Sequence, residues 1–320
     1  MNSSIFTKLC TLLIVCLFAV GSSGCKVPFW SFFSRNMESY VQPIKPVANK
    51  PTTLQRSDAR LAVTWVGHAT VLIQMDDKFF LTDPNLTSTV GMLSKRFYEP
   101  GIDIEKLPTL SAVLVSHMHF DHLSYGSLDE IEDKTSRLFV PQEGLTYTPN
   151  YSFPTIELRP WQTWTRDGIS ITAVPVQHLG GRYGLDETWM RNSCTGYVLE
   201  YHGMRVYFGG DTGYNDSIFT KAGARFPNID CALMPIAPIH PREFMKRAHT
   251  DPIEALQGFI DLKAKHMMPI HFDTYSNSTA DTVGEASGIL RTAMQARGIT
   301  DTTVTILPIG GQWVVIPKHD

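Results

Sequence analysis

Three histidines and an aspartate crowd into the hexapeptide His117-Met118-His119-Phe120-Asp121-His122, directly after the small and apolar stretch Val113-Leu114-Val115-Ser116. The whole chain holds 11 histidines, so composition does not account for such crowding. Neutral imidazole and carboxylate are the donors that zinc and its neighbours prefer. His117 and His119, two apart in an extended segment, point to one side and can grip one ion. Asp121 and His122, around the following bend, can grip a second. Further donors stand downstream: His178, Asp211 within Gly209-Gly210-Asp211-Thr212-Gly213, and His271. Together these residues can serve two zinc ions, with one aspartate bridging. Two such ions sharing a water bring its pKa toward neutrality and stabilise the oxyanion that forms on attack at phosphorus or at a carbonyl carbon.

Converging these donors requires a scaffold that brings distant strand ends to one place. Residues 61–66, 70–75, 78–83, 110–116, 169–176, 195–201, 204–210, 230–236 and 266–272 read as strands, with tight turns at Asp76-Asp77 and His202-Gly203. Each donor cluster lies where one of these apolar runs ends. Helices are fewer. Residues 250–265 carry Asp251 at a cap position, Pro252 at the first helical position and Glu254 in the first turn, and residues 279–298 end at Gly298. Many strands with few helices imply an α/β sandwich of two sheets with helices outside.

Composition bounds the partners. At 320 residues and 43% hydrophobic content the chain is long enough for a sizeable core. Its formal charge of −3, or −4 without the first 24 residues, provides no basic field for nucleic acid. The N-terminus, with Lys8, the apolar run 9–20 and small residues 21–24, reads as a signal peptide too short to span a bilayer. Export to the periplasm or cell envelope follows. Ser22-Ser23-Gly24-Cys25 resembles the bacterial lipoprotein box but carries serine where leucine is usual, so lipid attachment at Cys25 and simple cleavage both remain open. Residues 25–57, rich in aromatics and then in Pro, Gln, Thr and Asn, read as an arm or tether ahead of a 58–320 domain. Cys194 and Cys231 read as buried thiols, or as one bridge in an oxidising compartment.

The order HxHxDH, His178, Gly-Gly-Asp211 and His271 resembles the metallo-β-lactamase fold superfamily, which implies a four-layer αββα sandwich with two mixed sheets. The resemblance implies two metal ions bridged by Asp211. "TWVGHATVLIQMDDKFFLTDP", "KRFYEP", "GGDTGY" and "MPIAPIHPREFMKRAHTDPIEAL" are similar to the N-acyl-phosphatidylethanolamine-hydrolysing phospholipase D branch, over residues 61 to 275. A dinuclear zinc phosphodiesterase acting on a phospholipid-like substrate is the implied activity. The chain departs from that branch at Leu179-Gly180-Gly181, where an aromatic follows the third ligand histidine.

Other residues take roles around this set. Asp121 and His249 are the expected catalytic residues; His249 precedes the 252–265 helix, whose N-terminus favours a nearby anion, and the resemblance also puts a histidine there at the active site. A loop histidine that orients the helix start is the alternative. Asp83 is the expected carboxylate behind a ligand, as in the superfamily. His68 has either that role or a turn role. His202, His240, His266 and His319 do not converge with the set and read as structural or exposed. The aromatics of residues 144–168 and 29–33 could floor a lipid groove or simply pack. Rival readings are a lactonase or other ester hydrolase on the same metals, an iron oxidoreductase, and a non-catalytic binding lipoprotein that kept the scaffold.

Overall fold

The computed structural model describes residues 29–91, 94–276, 278 and 280–318. The expected signal peptide over residues 1–24, Cys25 and His319 lie outside the described residues. One 7-stranded sheet has the order β15 (Gln312–Pro317), β1 (Ala59–Gly67), β2 (Thr70–Met75), β3 (Lys78–Thr82), β6 (Ala112–Leu114), β7 (Leu138–Pro141) and β8 (Thr155–Leu158). A 6-stranded sheet has the order β14 (His266–Ile270), β13 (Cys231–Pro235), β12 (Met204–Phe208), β11 (Gly196–Tyr201), β10 (Ile169–Val174) and β9 (Thr163–Arg166). A small hairpin, β4 (Thr89–Val90) with β5 (Ser94–Lys95), stands apart.

Strand alternation explains the layering. In the larger sheet Val63, Ile73, Phe80, Leu114 and Phe139 face the other sheet, sharing one core cluster with Ile171, Tyr197 and Val206. Their neighbours Leu72, Leu81, Val113, Leu138 and Val140 face outward into a second cluster. Both faces of this sheet are buried, which is why its strands read as near-continuous apolar runs. The first cluster continues through the smaller sheet to Phe219 and Ala222 of α3 (Asp216–Arg225), Leu256 and Phe259 of α5 (Pro252–Leu262), and Leu290 of α6 (Glu285–Ala296). The opposite outer layer is helical too but thinner. It consists of the six-residue α2 (Tyr125–Glu130), with short 3₁₀ turns at 104–106 and 132–134 and loops carrying Ile102 and Phe153.

Direction then gathers the loops. β3, β6, β7 and β8 are parallel to one another. β12, β13 and β14 are parallel too, and β10 shares their direction because β10–β11 and β11–β12 are both antiparallel. The carboxyl ends of β3, β6, β10, β12 and β14 therefore open onto one edge of the sandwich, the place where α/β folds put their ligands.

Several strands are shorter than their sequence patterns. The 110–116 and 266–272 runs form continuous strands over Ala112–Leu114 and His266–Ile270, with Leu110 in an isolated bridge to Thr135, which leaves His117 and His271 outside the sheet ladders. The 25–57 segment contains α1 (Phe29–Val41), and its later part is fastened to the domain: Lys45 N–H donates to Phe97 O at 2.9 Å, and Leu54 enters the outer cluster. Cys194 and Cys231 are free thiols. The free-thiol reading holds and the alternative bridge is not formed: Cys231 lies inside β13, whereas Cys194 sits in an isolated pairing with His117. Burial, reinforced by Glu143, pushes the Cys194 thiol up to about 11.

Candidate metal centre

Loops after strand ends supply the donors, and the local backbone is shaped for them. Asp83 (φ 31), His68 (φ 54) and His271 (φ 66) occupy the left-handed region that non-glycine residues avoid. Such positions persist where the surrounding structure holds them for a function, at about 1–3 kcal/mol each. Gly210 shows the close approach directly: at φ +56, a Cβ there would stand 2.5 Å from Ser116 Cβ, so Asp211 follows a residue that only glycine can supply.

Two groups of donors result. His117 Nε2 lies 2.8 Å from His119 Nδ1, and His178 Nε2 lies 3.4 Å from that same atom. On the other side, His122 Nε2 is 3.2 Å from His271 Nε2 and 3.4 Å from Asp121 Oδ2. Asp211 stands between the groups, with Oδ2 3.3 Å from His122 Nε2 and 4.0 Å from His178 Nε2, and Oδ1 3.0 Å from His271 Nε2. The hexapeptide is a turn rather than an extended segment, since His122 and Leu123 N–H both donate to His119 O. That turn is what divides His117 and His119 from Asp121 and His122.

The outer ring atoms fix the tautomers. A backbone carbonyl only accepts, so His178 Nδ1–H donates to Ala248 O at 2.8 Å and His271 Nδ1–H to Ala237 O at 2.9 Å. His122 Nδ1 is 2.6 Å from Asp83 Oδ2. Ser116 gives its one hydroxyl hydrogen to Asp83 at 2.6 Å, so its oxygen accepts from His117 Nδ1–H at 2.9 Å. These partners turn four Nε2 lone pairs inward, toward each other and toward two carboxylates, and inward lone pairs this close repel unless a cation lies among them. The donor set therefore fits divalent metal.

Charge divides the groups further. Burial, with His122 next, holds His117 well below the usual histidine range, and burial holds His178 down at about 4. In the second group burial also opposes charge, but Asp211 and Asp121 outweigh it, raising His122 well above its ordinary value and His271 to about 9. Burial would raise Asp211 and Asp121 in turn, yet the neighbouring histidines keep both well below the usual carboxylate range.

The remaining sequence candidates are also here. His68 Nε2 lies 3.0 Å from Asp121 Oδ2, and its ring is 3.9 Å from that of His271. His249 Nδ1 is 3.5 Å from Asp211 Oδ2, is buried, and makes no hydrogen bond. The anion site expected at the following helix is taken by the chain itself, because Asp251 Oδ1 accepts from Ile253 N–H and Glu254 N–H in a capping box. His202 pairs with Asp76, His240 with Glu285, and His266 with Thr302 O, all apart from the metal donors. Sequence reasoning missed Ser116 and Asn85. Their signal is position alone, one residue before His117 and two after Asp83.

A cavity of about 610 Å³ opens over the donors, walled by Leu179, Pro238, Pro241, Phe244, Met245 and His249. The Leu179-Gly180-Gly181 departure has a packing cause: a Cβ at Gly180 would stand 1.9 Å from Met190 O, and one at Gly181 2.7 Å from Asp186 Oδ1. The aromatics of residues 144–168 mostly pack. Trp164 meets Phe139 edge-on at 5.1 Å and lies under Arg137 at 4.6 Å.

Comparison with known proteins gives concordant findings. Residues 78–272 match the family described as Beta-lactamase superfamily domain. N-acyl-phosphatidylethanolamine-hydrolyzing phospholipase D 1 of Caenorhabditis elegans is 31% identical over 287 residues, covering 84% of this chain and 80% of the relative. Among solved structures, Igni18, a metallo hydrolase from the archaeon Ignicoccus hospitalis, matches with a TM-score of 0.58 at 20% identity, covering 79% of this chain and 97% of that one. CmlA, a diiron beta-hydroxylase from Streptomyces venezuelae, matches at 0.56 and 16% identity over 81% of this chain and 54% of its own. These two likenesses concern the fold.

Proposed function

Starting from the fact that the chain belongs to the metallo-β-lactamase superfamily of metal-dependent hydrolases, we propose that it is a dinuclear zinc phosphodiesterase acting on an N-acyl phospholipid or a close analogue. The observation that carries this reading is the pairing of His117, His119 and His178 with Asp121, His122 and His271 on either side of Asp211. The name of the Caenorhabditis elegans relative supports the choice of substrate, and so does the largely apolar wall of the cavity.

When bound, the two ions supply an activated water and Lewis-acid stabilisation of charge developing on a phosphoryl oxygen. The chain's own residues set the conditions for that chemistry. Ser116, Asp83, Ala237 and Ala248 hold the ligand rings in one tautomer and orientation. Burial, partly opposed by Asp211, lowers His249 to about 3, so its imidazole is neutral at pH 7. From the cavity wall a neutral imidazole can donate an N–H to a substrate oxygen without carrying charge into the site. Leu179 and Phe244, both 43% exposed at the cavity mouth, offer apolar surface to acyl chains. Export, with attachment to the cell envelope through a lipidated Cys25, places the enzyme beside such substrates and remains part of the proposal.

The deciding experiment is a panel of turnover assays on zinc-loaded protein, with a simple phosphodiester, an N-acyl phosphatidylethanolamine and a lactone. Preferred turnover of the N-acyl phospholipid is expected. Lactone turnover alone would replace the phosphodiester reading with the ester-hydrolase one.

A further inference from the structure

Arg96 is the largest fully buried side chain among the described residues. Arginine is almost never wholly buried without a carboxylate partner, and burying an uncompensated charge costs several kcal/mol even after relaxation. Here every hydrogen bond of the guanidinium goes to a backbone carbonyl: Nε to Tyr98 O at 2.7 Å, and Nη1 to Asn85 O at 2.9 Å and Thr87 O at 3.4 Å. Nη2 has no partner and lies 3.0 Å from where a Cβ of Gly67 would stand. The Tyr275 ring lies 5.7 Å away. Burial lowers the guanidinium from its ordinary value, so something must offset its cost.

The contacts say what. Asn85, whose carbonyl Arg96 holds, donates from Nδ2 to Asp121 O at 3.0 Å and accepts from Tyr275 OH at 2.8 Å. The Tyr275 and His68 rings meet nearly at right angles with centroids 5.2 Å apart. Beside Arg96, Phe97 N–H donates to Thr274 O at 2.9 Å, and Thr274 Oγ1 accepts from His68 N–H at 2.7 Å. Three loops thus meet around one guanidinium: the β1–β2 turn with Gly67 and His68, the loop after β3 with Asp83 and Asn85, and the loop after β14 with His271 to Tyr275. All three reach the Asp121–His122–His271 side directly, and only Asp83, through Ser116, also reaches His117. None carries His117, His119 or His178.

We propose that Arg96 is a positioning residue for the second metal half-site: its rigid fork locks the three loops that orient Asp121 and His271, and its loss releases that half while leaving the His117–His119–His178 half intact. This rests on the two-ion reading above. Lysine at this position keeps the charge but not the fork.

The test is calorimetric zinc titration of chelator-stripped wild type, Arg96→Lys and Tyr275→Phe, with zinc-dependent turnover alongside. In Arg96→Lys the first equivalent is expected to bind as in wild type and the second about 10- to 100-fold more weakly, the range seen when a group behind a ligand is lost. Turnover falls at limiting zinc and recovers at excess zinc with KM unchanged. Tyr275→Phe gives the same selective weakening, smaller in size, and decides the matter if Arg96→Lys does not fold. Two wild-type-like equivalents in the variants, or equal weakening of both, overturn the inference. A wild type that takes up only one ion sinks the two-ion reading instead.

Discussion

The two halves of the metal centre are built from similar donors and differ in their electrostatics. The His117–His119–His178 half is all imidazole, and burial already holds those rings neutral, ready to give lone pairs. The Asp121–His122–His271 half sits among the buried carboxylates Asp83 and Asp211 and the half-buried Asp121, and Asp211 and Asp121 bias His122 and His271 toward the protonated form when no ion is present. The first half is therefore prepared for a cation, while the second exchanges protons for one. The lesson is that burial alone neutralises a histidine, but burial beside carboxylates charges it, so the same residue type behaves oppositely within one site.

Removing Asp211, which belongs to both halves, gives the largest effect. Asp211→Ala is expected to lower kcat by at least about 10³-fold, beyond the 10- to 100-fold typical for a group behind a ligand, with far-ultraviolet circular dichroism retained. Wild-type turnover would refute the shared-carboxylate arrangement. His249→Ala, which touches the cavity and not the rings' outer atoms, is expected to cost about 10²-fold in kcat with unchanged metal content by elemental analysis; unchanged kcat makes His249 structural. Asp83→Asn weakens the second equivalent of zinc about 10- to 100-fold more than the first in a zinc titration. Equal weakening would erase the asymmetry, because Asp83 reaches His117 only through Ser116.

A pH dependence separates the two halves without any substitution. His271 stands at about 9 in the ion-free protein, above its ordinary 6.5, so an ion binding there expels a proton. Affinity for the second equivalent should rise by about tenfold per pH unit between pH 6.5 and 9 for each proton lost, then level off. The first equivalent should stay flat, since His178 is already neutral above about 4. The same shift stabilises the ion-free fold below 6.5, and that contribution fades as pH rises through about 9. Titrations at several pH values check both slopes; parallel slopes would contradict the contrast.

Legibility in the sequence followed the range of the interaction. The strands from β1 to β3 and from β10 to β14 alternate or run apolar over five or more residues and carry their turn signals with them. β7, four residues long and buried on both faces, has no alternation to read. β8 and β9 fall in the aromatic stretch, whose tryptophans pack on partners distant in sequence, Trp164 on Phe139 and Trp161 under Arg225. α3 buries only Phe219, Ala222 and Gly223, a stripe too narrow for a pattern; Gly223 is there because a Cβ would stand 2.4 Å from Leu262 O. α6 starts later than the 279–298 pattern, after Gly284 at φ +86.

By itself the sequence determined the donor types, their order, and their placement at the ends of apolar strands, since these are local properties of residue chemistry and periodicity. The tertiary structure decided which nitrogen of each ring faces inward, how Asp211 falls between two groups, and why one buried arginine sits beneath only one of them. Those outcomes depend on carbonyls such as Ala237 O, Ala248 O and Asn85 O. A backbone carbonyl is the same on every residue, so no side-chain pattern marks it, and only chain closure over long sequence separations brings it to the ring it holds.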